Sequence, residues 1–441
     1  MVTSHWYLLT GAILMTMAVS ASILKRMPLS TAILYLAVGI GIGPMFGGYF
    51  HFNPLKQSAL FEKITEVAVL ISLYSAGLKL QASFINPVWR IAIRLATVSV
   101  VCTIFFVTAL GMYLLDMSFG EAVLLGAILA PTDPVLATDI QVNHHLDRDR
   151  LRFSLTGEAA INDGTAFPFV MLGLGLIGVH DLGVNLSHWL LVDLLWGTVC
   201  GVGVGIQLGM LTAIVVNHLN RLKMCNEYMN NFLGLGLICV SYGLTLLLHG
   251  YGFLAVFFAA FTLRQTESLL CSRTKLSKSE YLEKIGYKDK STVDKNDEIL
   301  SQRILHFNEQ LERLVEVVLI VLIGGMLFRD SWMFEYIMFA AVLFFVIRPA
   351  SIYVTLARTR IPVAPLLLTS WFGIRGIGSM YYLMFVIQQG IPEHLSVQLI
   401  SVVLITVTLS IILHGVSATP LMNWYSRNGR YWRMIESTAY T

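Results

Sequence analysis

Apolar residues fall along this chain in blocks of about twenty, separated by short polar segments. A block of that length, folded as a helix, crosses the ~30 Å hydrocarbon core of a bilayer. Thirteen blocks stand out, at 5–23, 30–49, 58–78, 91–115, 119–140, 152–178, 188–216, 229–248, 250–263, 314–328, 332–357, 363–389 and 396–416. The ninth is short, and only His249-Gly-Tyr-Gly252 divides it from the eighth. The pattern predicts an all-α polytopic membrane protein of about thirteen transmembrane helices. Ser20-Ala-Ser22 resembles a signal-peptide cleavage site. However, Lys25 and Arg26 follow the apolar run and do not precede it, so the first block is read as a retained helix.

Charge tests this count independently. The segments after odd-numbered blocks, with the adjoining helix ends, hold 25 of the 30 basic residues; those after even blocks hold Lys56 and Arg329. Lysine and arginine concentrate on the cytoplasmic side, which puts the N-terminus outside and the C-terminus in the cytoplasm. The one long polar stretch, 264–313, carries ten basic and nine acidic residues and reads as a solvated cytoplasmic linker. Residues 417–441 form a cytoplasmic tail.

Composition narrows the class. Of 441 residues, 56% are hydrophobic and 13% charged, against roughly 25% charged in soluble domains. The five cysteines have no CxxC spacing and the eleven histidines make no HExxH pattern, so no disulfide, fixed metal or cofactor is expected. A net charge of +3 gives no reason to expect nucleic acid as a partner.

Two blocks are interrupted. In Ala130-Pro-Thr-Asp-Pro-Val135, prolines three residues apart remove backbone donors, so the fifth helix should break around Thr132 and Asp133. Trp371-Phe-Gly-Ile-Arg-Gly-Ile-Gly378 interrupts the twelfth block with three glycines and Arg375. Non-helical backbone at membrane depth is tolerated only where it lines a cavity or is buried in protein. The two blocks lie seven crossings apart and so run in opposite directions. Paired broken helices in inverted halves are the pattern of a transporter's substrate site. The sixth block adds Leu155-Thr-Gly-Glu-Ala-Ala-Ile-Asn-Asp-Gly164, with Glu158, Asn162 and Asp163 in one and a half turns. A charge at bilayer depth costs at least about 2.5 kcal/mol, and such residues usually mark an ion or proton path.

Pro131-Thr-Asp-Pro-Val-Leu-Ala-Thr-Asp139, Thr156-Gly-Glu-Ala-Ala-Ile-Asn-Asp-Gly164 and Gly373-Ile-Arg-Gly376 together resemble the sodium/proton exchangers of the monovalent cation–proton antiporter superfamily. The electroneutral, NhaP-type bacterial and archaeal branch is the nearer match. The resemblance implies inverted repeats whose two broken helices cross at the midplane. It implies core helices at about 91–178 and 332–416, scaffold and dimer helices at about 5–78 and 188–328, and a homodimer in the inner (plasma) membrane. The activity it implies is one-for-one exchange of a monovalent cation for H⁺, with Na⁺ first and Li⁺ or K⁺ open. Asp163 matches the carboxylate that binds cation or proton in turn, and Asn162 the neutral neighbour of electroneutral members. Thr132 and Asp133 match the unwound segment beside the ion, and Glu158 and Arg375 a structural ion pair. Two positions depart from the pattern. Ser75 stands where NhaP-type members commonly place a glutamate, leaving a hydroxyl as the candidate ligand, and Ala159 replaces a frequent serine.

Other readings compete. Asp133 and Asp163 would be the catalytic pair of an intramembrane aspartyl protease, but that chemistry expects a GxGD-type loop, and Ala-Ile-Asn precedes Asp163. An open cation channel is disfavoured by a carboxylate that would bind its ion too well. Arg348, before Pro349, is expected either to pair with an acid or to snorkel to the cytoplasm, and snorkelling is favoured. Glu66 is assigned to the mouth or to a dimer contact, and His144 and His145 read as solvated loop residues.

Overall fold

The computed structural model describes residues 11, 15, 30–48, 52–133, 149–221, 227–284, 300–328, 331–359 and 361–427, with main chain only at 220, 221, 227–230 and 271–284. Most of the first block, Pro134–Asp139, His144, His145, the centre of the 264–313 stretch and the end of the tail lie outside the described residues. Within them every regular element is a helix: α1 (Thr31–Ile42), α2 (Ser58–Lys79), α3 (Trp89–Leu114), α4 (Phe119–Leu129), α5 (Arg150–Leu176), α6 (Gly197–Arg221), α7 (Glu227–Leu247), α8 (Gly252–Lys284), α9 (Leu300–Gly325), α10 (Phe334–Leu356), α11 (Val363–Trp371), α12 (Ile377–Gln388) and α13 (Glu393–Arg427). A wide-turned segment, Trp189–Trp196, leads into α6. Each apolar block from the second onward thus corresponds to a helix, and the twelfth is split into α11 and α12.

The set α3–α5 is repeated in α10–α13. In each set the first helix carries one five-residue π segment, Leu95–Ser99 in α3 and Leu343–Ile347 in α10. The two π segments sit against each other's helix: 95–99 packs on 348–356, and 343–347 on 100–114. A π turn shifts the hydrogen-bond register and leaves a carbonyl to be satisfied from outside. Thr165 on α5 donates to Ala96 O at 2.5 Å, which joins the α3 π segment to the turn after Asp163. The second helix of each set is the interrupted one.

Outside the repeats, α6 and α8 pack along a glycine stripe, Gly197, Gly201, Gly205 and Gly209. A Cβ at Gly201 would stand 2.6 Å from Tyr251 O, so only glycine permits this approach. In lipid, where apolar burial drives little, such small-residue seams supply the packing.

The expected linker is shorter than its polar composition suggests. Helix α8 runs on past its apolar part to Lys284, and α9 begins at Leu300, before its apolar part. Arg264 donates to the Ser301 hydroxyl, and Ser301 N–H donates to Glu267 Oε2 at 3.1 Å. These contacts tie the two extensions together and offset the polar surface that hydropathy reads as linker.

Candidate functional site

Helix α4 stops at Leu129; Ala130 keeps helical backbone angles, and Pro131 to Asp133 leave the helix as irregular chain because Pro131 has no N–H to continue the ladder. Helix α11 stops at Trp371, and five residues pass before α12 begins at Ile377. The two interruptions meet: Asp133 N–H donates to Ile374 O at 2.8 Å. Other groups freed by the breaks also find partners. Arg375 Nη1 donates to the carbonyls of Ala130 and Pro131, the latter at 2.8 Å. Arg375 N–H donates to Ser410 Oγ at 2.8 Å, and His414 Nε2 lies 3.0 Å from Trp371 O. Asp133 Oδ2 accepts from Ile377 N–H, capping α12. A buried backbone group left without a partner would cost several kcal/mol in hydrocarbon, and this exchange avoids that.

Beside the crossing, α5 presents its two polar neighbours. Asn162 Nδ2 donates to Thr132 Oγ1 at 2.7 Å, while Asn162 Oδ1 has no hydrogen-bond partner. Asp163 is 2% exposed, and its Oδ1 also has no hydrogen-bond partner. It faces the start of α12, because a Cβ at Gly378 would stand 3.1 Å from that oxygen. The Asp163 main-chain carbonyl accepts from the Tyr382 hydroxyl, which fixes α5 to α12 at this level. The site therefore brings together Asp163, Asn162, Thr132 and Asp133. Ser75 is fully buried on α2, which packs against both α5 and α12, but no hydrogen bond links it to the cluster.

The expected Glu158–Arg375 pair is replaced by another. Glu158 is held by Arg348, Nη1 to Oε1 at 2.5 Å and Nη2 to Oε2 at 3.0 Å, a bidentate contact between side chains 2% and 3% exposed. Arg348 does not reach the cytoplasm. It directly follows the α10 π segment, which turns it inward, and Nη2 also donates to Thr369 O at 3.3 Å. Arg375 sits in the non-helical stretch between α11 and α12, and its guanidinium reaches the α4 carbonyls. Of the two expectations for Arg348, pairing with an acid holds and snorkelling does not, and the acid it meets is Glu158, the expected partner of Arg375.

Gly373 makes room for this pair, since a Cβ there would stand 2.6 Å from Arg348 Nε and 2.8 Å from its Cδ. Overpacking a tight site typically costs about 1–3 kcal/mol. Gly373→Ala should therefore lower the thermal stability of the purified protein, and an unchanged melting temperature would show that Arg348 has slack.

A cavity of about 820 Å³ reaches Gly164, the residue after Asp163. Lys63 and His188, with side chains 68% and 41% exposed, mark its open end beside His180 and Asp193, and the buried Phe253 and Tyr381 line its inner part. Glu66 lines it too, accepting from Lys63 Nζ at 2.8 Å and from the Tyr242 hydroxyl, so it is a cavity residue.

A family profile described as sodium/hydrogen exchanger, transmembrane, matches residues 11–424. The K(+)/H(+) antiporter NhaP of Alkalimonas amylolytica is 24% identical over 428 residues, covering 95% of this chain and 66% of that protein. The Na(+)/H(+) antiporter 2 of Zygosaccharomyces rouxii is 24% identical over 235 residues, 51% of this chain and 29% of that protein. The chain thus spans just under two thirds of the first relative and less than a third of the second. Among solved structures, the sodium proton antiporter MjNhaP1 from Methanocaldococcus jannaschii superposes with a TM-score of 0.71 at 20% identity, over 96% of this chain and 97% of that one. This likeness establishes the fold.

Proposed function

Because the chain belongs to the sodium/hydrogen exchanger family, a family of transmembrane transporters and not of enzymes, we propose that it exchanges a monovalent cation for H⁺ across the membrane, one for one, at Asp163. The observation that carries this reading is Asp163 Oδ1, a buried oxygen without a donor, facing the start of α12 where the broken helices cross.

Charge counting at the site supports the stoichiometry. Glu158 and Arg348 cancel. Arg375 and Asp133 carry opposite charges and are both committed to the breaks. Asp163 remains as one negative charge, which one proton or one monovalent cation neutralises. Asn162 Oδ1 and the Thr132 hydroxyl supply neutral oxygens beside it, and Ser75 is a further candidate. Proton and cation compete for the same carboxylate, so each half-cycle moves one positive charge, in opposite directions. In liposomes with a clamped membrane potential, cation-driven proton flux should not respond to voltage. A current that scales with the imposed potential would mean that a second group changes charge in the cycle.

The printed activities of the relatives include both Na⁺ and K⁺ exchange. Na⁺ is the first candidate substrate here, with K⁺ and Li⁺ as the alternatives that a flux assay over a panel of cations would separate. We further propose that α3–α5 and α10–α13 form the transport core, that α1, α2 and α6–α9 form the scaffold and a homodimer contact, and that the N-terminus lies outside the inner membrane. The cavity mouth then opens outward. On this topology a cysteine introduced at Lys288 should be labelled only from the cytoplasm, and labelling from outside intact cells would reverse the orientation.

A further inference from the structure

Between α5 and α6 the chain folds back on itself through left-handed backbone at Gly178, Gly183, Asn185 and Leu186, with φ of 84°, 69°, 54° and 62°. His188 N–H donates to Leu182 O at 3.1 Å, and Gly183 N–H donates to Asp181 Oδ1 at 2.8 Å, closing the turn. The fold-back brings His180 edge-on to His188, ring centroids 5.6 Å apart, and sets both against Asp193. His180 Nε2 is 3.0 Å from Asp193 Oδ2, and His188 Nδ1 is 3.8 Å from the same oxygen. One ligand atom from each of the three residues lies within 4.8 Å of the others.

The backbone beneath these side chains is pinned. The Tyr251 hydroxyl donates to Asp193 O, and Trp189 Nε1 donates to Pro168 O at 2.7 Å. Asp193 is 8% exposed. A structural staple between the loop and the following helix would need only the His180–Asp193 contact. It leaves His188 Nδ1 unexplained, a buried nitrogen without a hydrogen-bond partner that faces the same carboxylate.

Two imidazole nitrogens and one carboxylate oxygen are the donor set of an open zinc-type site, in which three protein ligands leave the fourth position to solvent. Around a tetrahedral ion with bonds of about 2.0–2.1 Å, ligand atoms stand roughly 3.4 Å apart. The two separations to Asp193, 3.0 and 3.8 Å, bracket that value, and the two imidazole nitrogens lie within 4.8 Å of each other. We propose that His180, His188 and Asp193 bind a divalent transition metal of the Zn²⁺ class, with its open position toward the cavity. A divalent ion on a single carboxylate adds net positive charge at the mouth of the path to Asp163. Resting on the antiport reading above, occupancy should repel the incoming cation and inhibit exchange.

Two measurements separate the site from that reading. Titration of the purified full-length protein with zinc chloride, followed by calorimetry, should show a bound Zn²⁺ whose affinity falls at least about tenfold in His188→Ala and in His180→Ala, since even outer-shell partners of a metal are worth 10–100-fold. Both residues are partly exposed, so the variants should fold; Asp193→Asn is a third, conservative variant with the same expected loss. Zinc affinity unchanged in all three variants would overturn the site. In proteoliposomes, zinc should slow exchange by the wild type and leave His188→Ala unaffected; equal inhibition of both would overturn the link to transport. Absence of exchange from every preparation would count against antiport alone, because calorimetry reads the site directly.

Discussion

Asp163→Asn should abolish cation-driven proton movement while leaving the protein folded and inserted. The substitution keeps the size and shape of the side chain and removes the one negative charge that the neighbouring cations do not match. No hydrogen bond is lost at Oδ1, which has none, and the main-chain contact from Tyr382 survives because it does not involve the side chain. An amide binds neither a proton nor a monovalent cation in a way that alternates, so the cycle has no charge to exchange. Flux in proteoliposomes should fall to the level of empty vesicles, with an unchanged gel-filtration profile. Asp163→Glu keeps the charge but pushes the carboxylate into the start of α12, where a Cβ at Gly378 would already stand 3.1 Å from Oδ1. It should also lose most activity. Substantial exchange by purified Asp163→Asn would move the shared site elsewhere, first to Asp133.

The sequence made the helices and the crossing legible because both rest on local chemistry. Apolar length locates the spans, and Pro131 and the glycines at 373, 376 and 378 locate the breaks. What it could not convey is which buried charges pair. Glu158 lies 190 residues from Arg348 and 217 from Arg375, and hydropathy does not say which of the two bases meets it. The choice is made by backbone geometry. A π segment ending at Ile347 turns Arg348 inward, and the break between α11 and α12 commits Arg375 to the carbonyls of Ala130 and Pro131. The same limit applies to His180, His188 and Asp193, whose spacing of eight and five residues matches no metal-ligand pattern. Their convergence depends on the left-handed turn. Helical continuation of α8 to Lys284 was illegible for a different reason, since polar composition reads as linker unless a second polar helix end covers it.

The exchange of partners at Glu158 leads to the second large effect. Arg348→Ala leaves the buried Glu158 carboxylate without its bidentate donor. Breaking a buried pair on one side is destabilising by about 3–5 kcal/mol, because the remaining charge has neither water nor a counter-ion. Arg348→Ala should therefore lower the melting temperature sharply, or yield no folded protein. Glu158→Gln/Arg348→Gln removes both charges and keeps polar groups that can still meet, so it should recover much of the loss. Arg375→Gln disturbs different contacts, the carbonyls of the α4 break, and combining it with Glu158→Gln should give no such recovery. Comparing the two double-mutant cycles by thermal unfolding reads the coupling directly. A larger coupling of Glu158 to Arg375 than to Arg348 would mean that the bidentate contact is not the one that holds α5 to α10. With the observed geometry, the cycle through Arg348 should dominate, and the double variant should still exchange ions, because the pair it removes carries no net charge and lies outside the step at Asp163.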